Sequence, residues 1–545
     1  SAYNSFLKDH IQTPSIDRVA NEGMRFDNMT VSTSICSPCR ASLLTGQHGH
    51  VNGVRTLNGG INETSPQYPV QLQKAGYQTW LVGKWHLGSA PKGYDKHMVV
   101  KGQGHYFDPT FYGSEGTWKR KGYSTDVYTD IALEWLKDRD RNKPFLLSLQ
   151  YKAPHAQYDY PDRYNDLHAG VSLPEPPSLY EDIANCNSIL KKEMLRTRKF
   201  HMLHAQNGDS YYQKHRNAKA PNKMFDHDES DDRDKIRVAY QHLIHKYARC
   251  VKGNDDNLKR VIEYLESEGL FDDTVVVYLS DQGYWLGQHG FFDKRLILES
   301  SMRTPFMIRY PKLIKPGSVN TDLCVNIDIA PTLLEIAGVE IPAAMQGRSM
   351  LSLLRGEKMS DGREAQWYSY WSNPNHHGIR TERYTYIKVP GHDVELYDRK
   401  IDPDQFNNIA ANQFNWTYDN VGPTIASVSL AATNATIAVT MNEASFNTNG
   451  GSGNLEATDF SLSISGGNAT LASATPSSIS ISGNVYTLGI NLSSNMAYGT
   501  ETLTVTPVAN SIYDASGNAA STSQSNNTAT LNGFAQQLGS DIDGE

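Results

Sequence analysis

Through the first 410 residues, short apolar runs alternate with stretches whose apolar positions recur every three to four residues, the texture of an α/β domain. Trp80-Leu81-Val82, Phe145 to Leu149 and Val275 to Leu279 are continuous apolar runs of strand length. They predict buried strands of a mostly parallel sheet. Thr13-Pro14-Ser15 opens a short helix carrying Ile16, Val19 and Ala20, which Gly23 closes. Helical spacing predicts further helices over 125–138 and 234–268, and over 328–337, where Gly338 stops the pattern. Residues 185–233 are polar and charged with few apolar positions, and are read as a long surface insertion in loop form.

From about residue 418 the period changes. Ser, Thr, Ala, Asn and Gly dominate, and alternating runs recur at 425–430, 435–440, 460–464, 485–490 and 501–505. Asn/Gly clusters at 447–453, 466–467 and 482–483 separate them. Short alternating strands between turn signals predict an all-β sandwich and argue against a disordered Ser/Thr linker. The predicted division is a domain over 1–412, a β-sandwich over 418–534 and a loose acidic end over 535–545.

Charge sharpens that division. The net charge of −8 is unevenly spread, because the last basic residue is Lys400. Residues 1–400 carry +3 and the remainder −11. Neither part is basic enough for a nucleic-acid binder, and no apolar run reaches the roughly 20 residues of a membrane span. Five cysteines without regular spacing make no disulfide framework.

Candidate chemistry concentrates at residues 36–46, Cys-Ser-Pro-Cys-Arg-Ala-Ser-Leu-Leu-Thr-Gly. The C-x-x-C of Cys36 and Cys39 is also the spacing of half a zinc site or of a redox pair. A four-thiolate zinc site needs a second pair, and Cys186, Cys250 and Cys324 are scattered singly. Ala41, Leu43 and Leu44 follow Pro38 at helical spacing, so Cys36 is expected at a helix N-terminus, where backbone N–H groups favour an anion. Arg40 lies one turn on.

This stretch resembles the signature of the type I, formylglycine-dependent sulfatases of the alkaline phosphatase superfamily. Other motifs follow in that family's order: Gly83-Lys84-Trp85-His86-Leu87-Gly88, Ala153-Pro154-His155, Ser280-Asp281-Gln282-Gly283, Gly287-Gln288-His289-Gly290, Lys294, Arg303-Thr304-Pro305 and Glu395-Leu396-Tyr397-Asp398. The resemblance covers essentially all of residues 1–410. It implies an alkaline-phosphatase-like sheet sandwiched by helices. It further implies that Cys36 is oxidised to formylglycine by a maturation enzyme, that Arg40 orients the aldehyde, and that Lys84 and Lys294 grip sulfate. His86 and His155 would be the acid–base pair, and His289 and His376 would contact substrate. Asp281 and Gln282, with formylglycine at Cys36, would bind a divalent cation, usually calcium. The implied activity is sulfate ester hydrolysis on sulfated carbohydrate by an exported protein. The texture, with Phe-Asp-Lys-Arg at 292–295, is closest to N-acetylglucosamine-6-sulfatases and polysaccharide sulfatases. Two alternatives stand beside it: a phosphonate or phosphodiester hydrolase of the same superfamily, and a degenerate glycan-binding surface protein. The β region resembles bacterial immunoglobulin-like modules, including the segment 511–518.

Family members begin with an apolar strand that ends in two adjacent metal-binding aspartates. No Asp-Asp pair precedes the helix at 13–17 here. The expectation is therefore a site lacking one strand and half of its metal ligands.

Overall fold

A computed structural model describes residues 7–114, 116–156, 158–197, 232–410, 421–449, 451–493 and 496–533. The chain divides into two compact units, Ser1–Phe414 and Asn415–Glu545.

In the first unit the strand Gln78–Lys84 is central. It is flanked in parallel by Lys96–Val100 and Phe145–Gln150, and the antiparallel hairpin Thr110–Gly113/Gly116–Lys119 extends this five-stranded sheet. The central strand is buried along nearly its whole length, which explains its uninterrupted apolar sequence. Helix Ser124–Lys137 packs on it, with Val127, Tyr128 and Ile131 against Val82 and Phe111.

The run at 275–279 does form a strand, Val276–Leu279, but not in that sheet. It belongs to a four-stranded sheet ordered Ser318–Asn320, Met24–Phe26, Phe306–Arg309, Val276–Leu279, and its described partner runs antiparallel. The expected single, mostly parallel sheet is thus two sheets. Phe145–Gln150 and Val276–Leu279 are each paired on one edge only among the described residues. Both line one cavity of about 1450 Å³, which runs from the apolar core to Asp281 and Gln282. The strand pattern fixes burial but not partner, which is why apolar runs alone suggested one sheet.

The long helix Asp232–Ser267 anchors the N-terminal region. Its buried Asp255 accepts the N–H groups of Ser15 and Ile16, both at 2.9 Å, and so caps the helix Pro14–Asn21 from a remote element. The predicted loop at 185–233 is corrected in part. Ile189–Thr197 is a helix, with Leu190 and Met194 buried in a core shared with Trp285, Phe291 and Tyr397. Lys191 is buried there, donating to the Glu181 carboxylate at 2.8 Å and the Gln405 carbonyl at 2.7 Å. A buried lysine needs such partners, and the pattern of apolar positions cannot announce them. Residues 198–231 lie outside the described residues.

A four-stranded antiparallel sheet, Ala365–Tyr370, His376–Thr381, Tyr384–Lys388 and Val394–Asp398, follows. Arg380 in this sheet holds Glu299 through two hydrogen bonds of 2.6 and 2.9 Å. Arg380 and Arg399 overcome the burial of that carboxyl and bring it down to about 2. Such a buried ion pair costs on the order of 3–5 kcal/mol to break from one side. It fixes the segment that carries the motif 294–305 against the C-terminal sheet.

The second unit contains two antiparallel sheets. One is ordered Ile425–Leu430, Thr436–Met441, Val485–Gly489, Ile479–Ser482, and the other Phe460–Ser465, Thr502–Pro507, Thr528–Thr530. Ile437, Val439 and Leu488 of the first share a core with Leu462, Leu503 and Val505 of the second, as alternation predicts for a sandwich. Glu501, buried just before Thr502–Pro507, accepts backbone N–H groups from Asn468, Ala469, Tyr498, Gly499 and Thr500. Those donors lower its carboxyl pKa to about 2 against the opposing effect of burial. No described helix is long and apolar enough to cross a membrane.

Candidate functional site

Cys36 is the first residue of helix Cys36–Thr45. No side chain caps this helix, so the positive end of its dipole is left at Cys36. Gly46 ends it in the left-handed conformation, φ +63°. Cys36 is only 1 % exposed. Burial pushes its thiol up, but Lys294, Lys84 and a hydrogen bond with His86 together bring it down to about 6. Lys84 donates to Cys36 Sγ at 3.7 Å.

Lys84 reaches this position because Gly83 lets the central strand pass close to its neighbour. Gly83 has φ +112°, and a Cβ there would lie 2.1 Å from the Gln150 carbonyl oxygen. The strand therefore ends with its lysine against the helix start. Ser37 ties the next loop in place, donating to the His86 carbonyl at 2.6 Å, with the Leu57 carbonyl 3.2 Å away.

Arg40 lies one turn after Cys36 on the same helix. Its Nε donates to Asp281 Oδ2 at 3.0 Å, and its Nη1 to the Lys84 carbonyl and Gln150 Oε1 at 2.8 and 2.7 Å. Burial opposes ionisation of Asp281, but Arg40, Lys84 and Lys294 outweigh it and hold the carboxyl below its usual range. Cys39 is fully buried, donates its thiol hydrogen to the Asp281 carbonyl, and receives a bond from Asn326 at 3.2 Å. Burial pushes the Cys39 thiol well up. All five cysteines are free. A thiol that stays protonated inside a packed helix is neither a zinc ligand nor an attacking redox partner.

Lys294 lies on the far wall, paired with Asp293 at 2.8 Å. Its ammonium donates to His155 Nε2 at 3.1 Å. Since Nε2 accepts, the His155 proton sits on Nδ1, facing the Ala156 carbonyl at 3.4 Å. Burial and three nearby cations, Lys294, Lys84 and Lys152, push His155 strongly down. His155 is therefore a neutral acceptor, while Lys294 is raised despite burial by Asp293 and Cys36. The proton expected on His155 is held by Lys294. The His86 ring lies 3.4 Å from Gln103 Nε2.

Cys36, His155 and Lys294 line a pocket of about 220 Å³ with Leu57, Gln103 and Arg295. On the opposite side, Lys84, Arg40, Asp281 and Gln282 face the large cavity, which also touches His155 and Lys294. Eight of the ten predicted residues thus converge. The other two do not. His289 is 2 % exposed, pairs with Glu181 and packs edge-on to Trp285 at 5.4 Å. His376 is fully buried between Tyr368 and Tyr370. Its Nδ1 donates to the Pro374 carbonyl at 2.6 Å and its Nε2 accepts from Ile297 N–H at 3.1 Å. Burial lowers it to about 4, so it stays neutral and supports the backbone just past Lys294. The structure thus places both expected substrate contacts in buried, hydrogen-bonded positions away from the two cavities.

The two side chains expected to bind a cation follow the strand Val276–Leu279. Asp281 offers an ionised carboxylate, and Gln282 Oε1 is buried without a hydrogen-bond partner among the described residues. Both are hard oxygens, but among the described residues no group of three or more His, Cys, Asp or Glu side chains could hold a metal. Two oxygens fall short of the six or more that calcium takes. Asp281 is engaged by Arg40 instead.

Gln103, Lys152, Asp293 and Arg295 escaped the sequence reading. Asp293 and Arg295 stood inside a quoted motif, and a lysine buried beside a second lysine requires an anion, which was the available signal. Gln103 lies in an irregular loop with no pattern to mark it.

Comparison with known proteins accords with this geometry. The family described as Sulfatase matches residues 2–339, and that described as N-sulphoglucosamine sulphohydrolase, C-terminal, matches 287–421. An N-acetylglucosamine-6-O-sulfatase of Bacteroides thetaiotaomicron is 36% identical over 437 residues, covering 73% of this chain and 78% of that protein. A protein solved in complex with its substrate, D-glucosamine-2-N,6-O-disulfate, aligns with TM-score 0.63 and 34% identity, over 74% of this chain and 89% of that one. A phosphonate monoester hydrolase of Silicibacter pomeroyi shares the fold at TM-score 0.59 and 22% identity, over 74% and 88% of the two chains. With the Sulfatase family matching residues 2–339 and a 36% identical sulfatase covering 73% of its length, this chain belongs to the sulfatase family.

Proposed function

We propose that this chain hydrolyses 6-O-sulfate esters of glucosamine-type sugars. The observation that carries the reading is Cys36 at an uncapped helix start, between Lys84 and the Lys294–His155 pair. The names of its relatives support the sugar class. Oxidised to formylglycine and hydrated, position 36 supplies two hydroxyls on one carbon, one to attack sulfur and one to let the sulfated adduct collapse. Every other step belongs to side chains in place. Lys84 and Lys294 neutralise the sulfuryl oxygens as charge builds. Lys294 gives its proton toward the leaving sugar oxygen, and His155, accepting at Nε2, orients that ammonium. His86, oriented by Gln103 and by its own backbone contact with Ser37, is placed to take the proton from the second hydroxyl. Arg40 holds Asp281 and the end of the central strand. The family is generally dependent on a divalent cation; Asp281 and Gln282 are the two ligands this chain's described residues offer, and no step here passes through a metal. Export and maturation by a formylglycine-generating enzyme belong to the same proposal.

The phosphonate hydrolase alternative rests on shared fold alone. Steady-state rates on 6-O-sulfoglucosamine and on an aryl phosphonate monoester separate the two. The expected result is a higher kcat/KM for the sulfate ester, and a preference for the phosphonate would overturn the assignment.

A further inference from the structure

The pocket at Cys36 is small. Its volume of about 220 Å³ is below the roughly 300–1,000 Å³ of sites that engulf drug-sized ligands. It takes one sulfated sugar ring, and any neighbouring ring of an oligosaccharide must lie outside. One of its walls leads outward. Leu57 lines the pocket, is 37 % exposed, and sits two residues from the exposed Arg55. Arg295 also lines the pocket and donates to the Tyr370 hydroxyl at 3.0 Å. Arg55 and Trp371 meet, with the guanidinium 5.7 Å from the indole centroid.

Beyond them the aromatic surface continues. Trp371 packs on Trp367 with ring centroids 6.1 Å apart, and Trp367, 36 % exposed, meets the rings of His48 and His50 at 5.4 and 5.0 Å. Burial lowers both imidazoles, and Arg55 adds a guanidinium to this rim. Trp367 projects from the outer side of a strand whose neighbours Gln366 and Tyr368 are buried, so burial does not account for a tryptophan there. Indoles offer an apolar face with a polar N–H, and a guanidinium offers a fork for an anionic oxygen group.

We infer that Arg55, Trp371 and Trp367 form an outer subsite that holds the neighbouring rings of an anionic, sulfated oligosaccharide whose terminal sulfated ring occupies the Cys36 pocket. The sugar face lies on the indoles and its anionic substituent on Arg55. The inference rests on the function proposed above, and binding measurements separate the two.

The test compares a sulfated tetrasaccharide with 6-O-sulfoglucosamine, by calorimetric affinity and by kcat/KM, in the full chain and in Arg55→Ala, Trp367→Ala, Trp371→Ala and Trp371→Phe. The expected result is tetrasaccharide affinity falling roughly 3- to 10-fold in each alanine variant, as expected for one aromatic or charge-assisted contact, with monosaccharide values unchanged. Trp371→Phe recovers most of the loss. Equal losses on both ligands, or none on either, would overturn the subsite. So would a loss of self-association in sedimentation with glycan affinity intact, which would make the patch a protein contact. If the unaltered chain binds both ligands but hydrolyses neither, the functional reading fails while the affinity comparison still decides the subsite.

Discussion

Cys36→Ser is expected to release no more than one desulfated sugar per chain, with its sulfate retained as a covalent ester on the protein. A serine hydroxyl at the same helix start, between Lys84 and Lys294, can still be positioned to attack sulfur. It has no second hydroxyl on the same carbon, so the ester it forms has no route of collapse except attack by water on a sulfur already held by two cations. Turnover should fall on the order of 10⁴-fold or more, as for removal of a nucleophile from an otherwise intact site. Quench-flow with a sulfated sugar reads the single stoichiometric event, and intact mass reads the adduct. Full multiple turnover by this variant would remove position 36 from the chemistry.

Lys294→Ala carries the next largest effect. Lys294 is the only described cation that both faces Cys36 and donates to His155. Its loss removes a sulfate-holding charge and the proton that His155 cannot itself carry in the free chain. The loss should be about 10²–10⁴-fold in kcat on a sugar sulfate, the range for a positioned general acid. With a nitrophenyl sulfate, whose leaving oxygen needs no proton, the loss should be far smaller. Equal losses on both substrates would reduce Lys294 to a charge clamp and return the acid role to another group.

Much of this site was legible because its residues sit where local pattern and chemistry coincide. A proline-containing first turn placed Cys36 at a helix start, and an apolar run placed Asp281 just past a strand. What failed was information that local pattern does not contain. His289 stood inside a quoted motif and His376 outside one, yet Glu181, far away in sequence, pairs with the first and the Ile297 backbone donates to the second. The proton assignment at His155 depended on three lysines brought together from separate elements. The apolar run at 275–279 predicted burial correctly, but its antiparallel partner, Phe306–Arg309, is set by tertiary pairing. The helix Ile189–Thr197 was missed because its buried Lys191 looks like a surface residue until Glu181 and Gln405 are seen around it. In the second unit the alternation was plain, and the Glu501 network beneath it was not.

The central claim is that position 36 works as an aldehyde, and peptide mass spectrometry of residues 26–40 tests it most directly. In protein made by a host that carries the maturation enzyme and shown to release sulfate from a sugar, the account predicts a peptide in which Cys36 has exchanged one sulfur and two hydrogens for one oxygen. That peptide should react with hydroxylamine and retain the Cys39 thiol. An intact Cys36 thiol throughout a preparation that turns over sugar sulfate would contradict it.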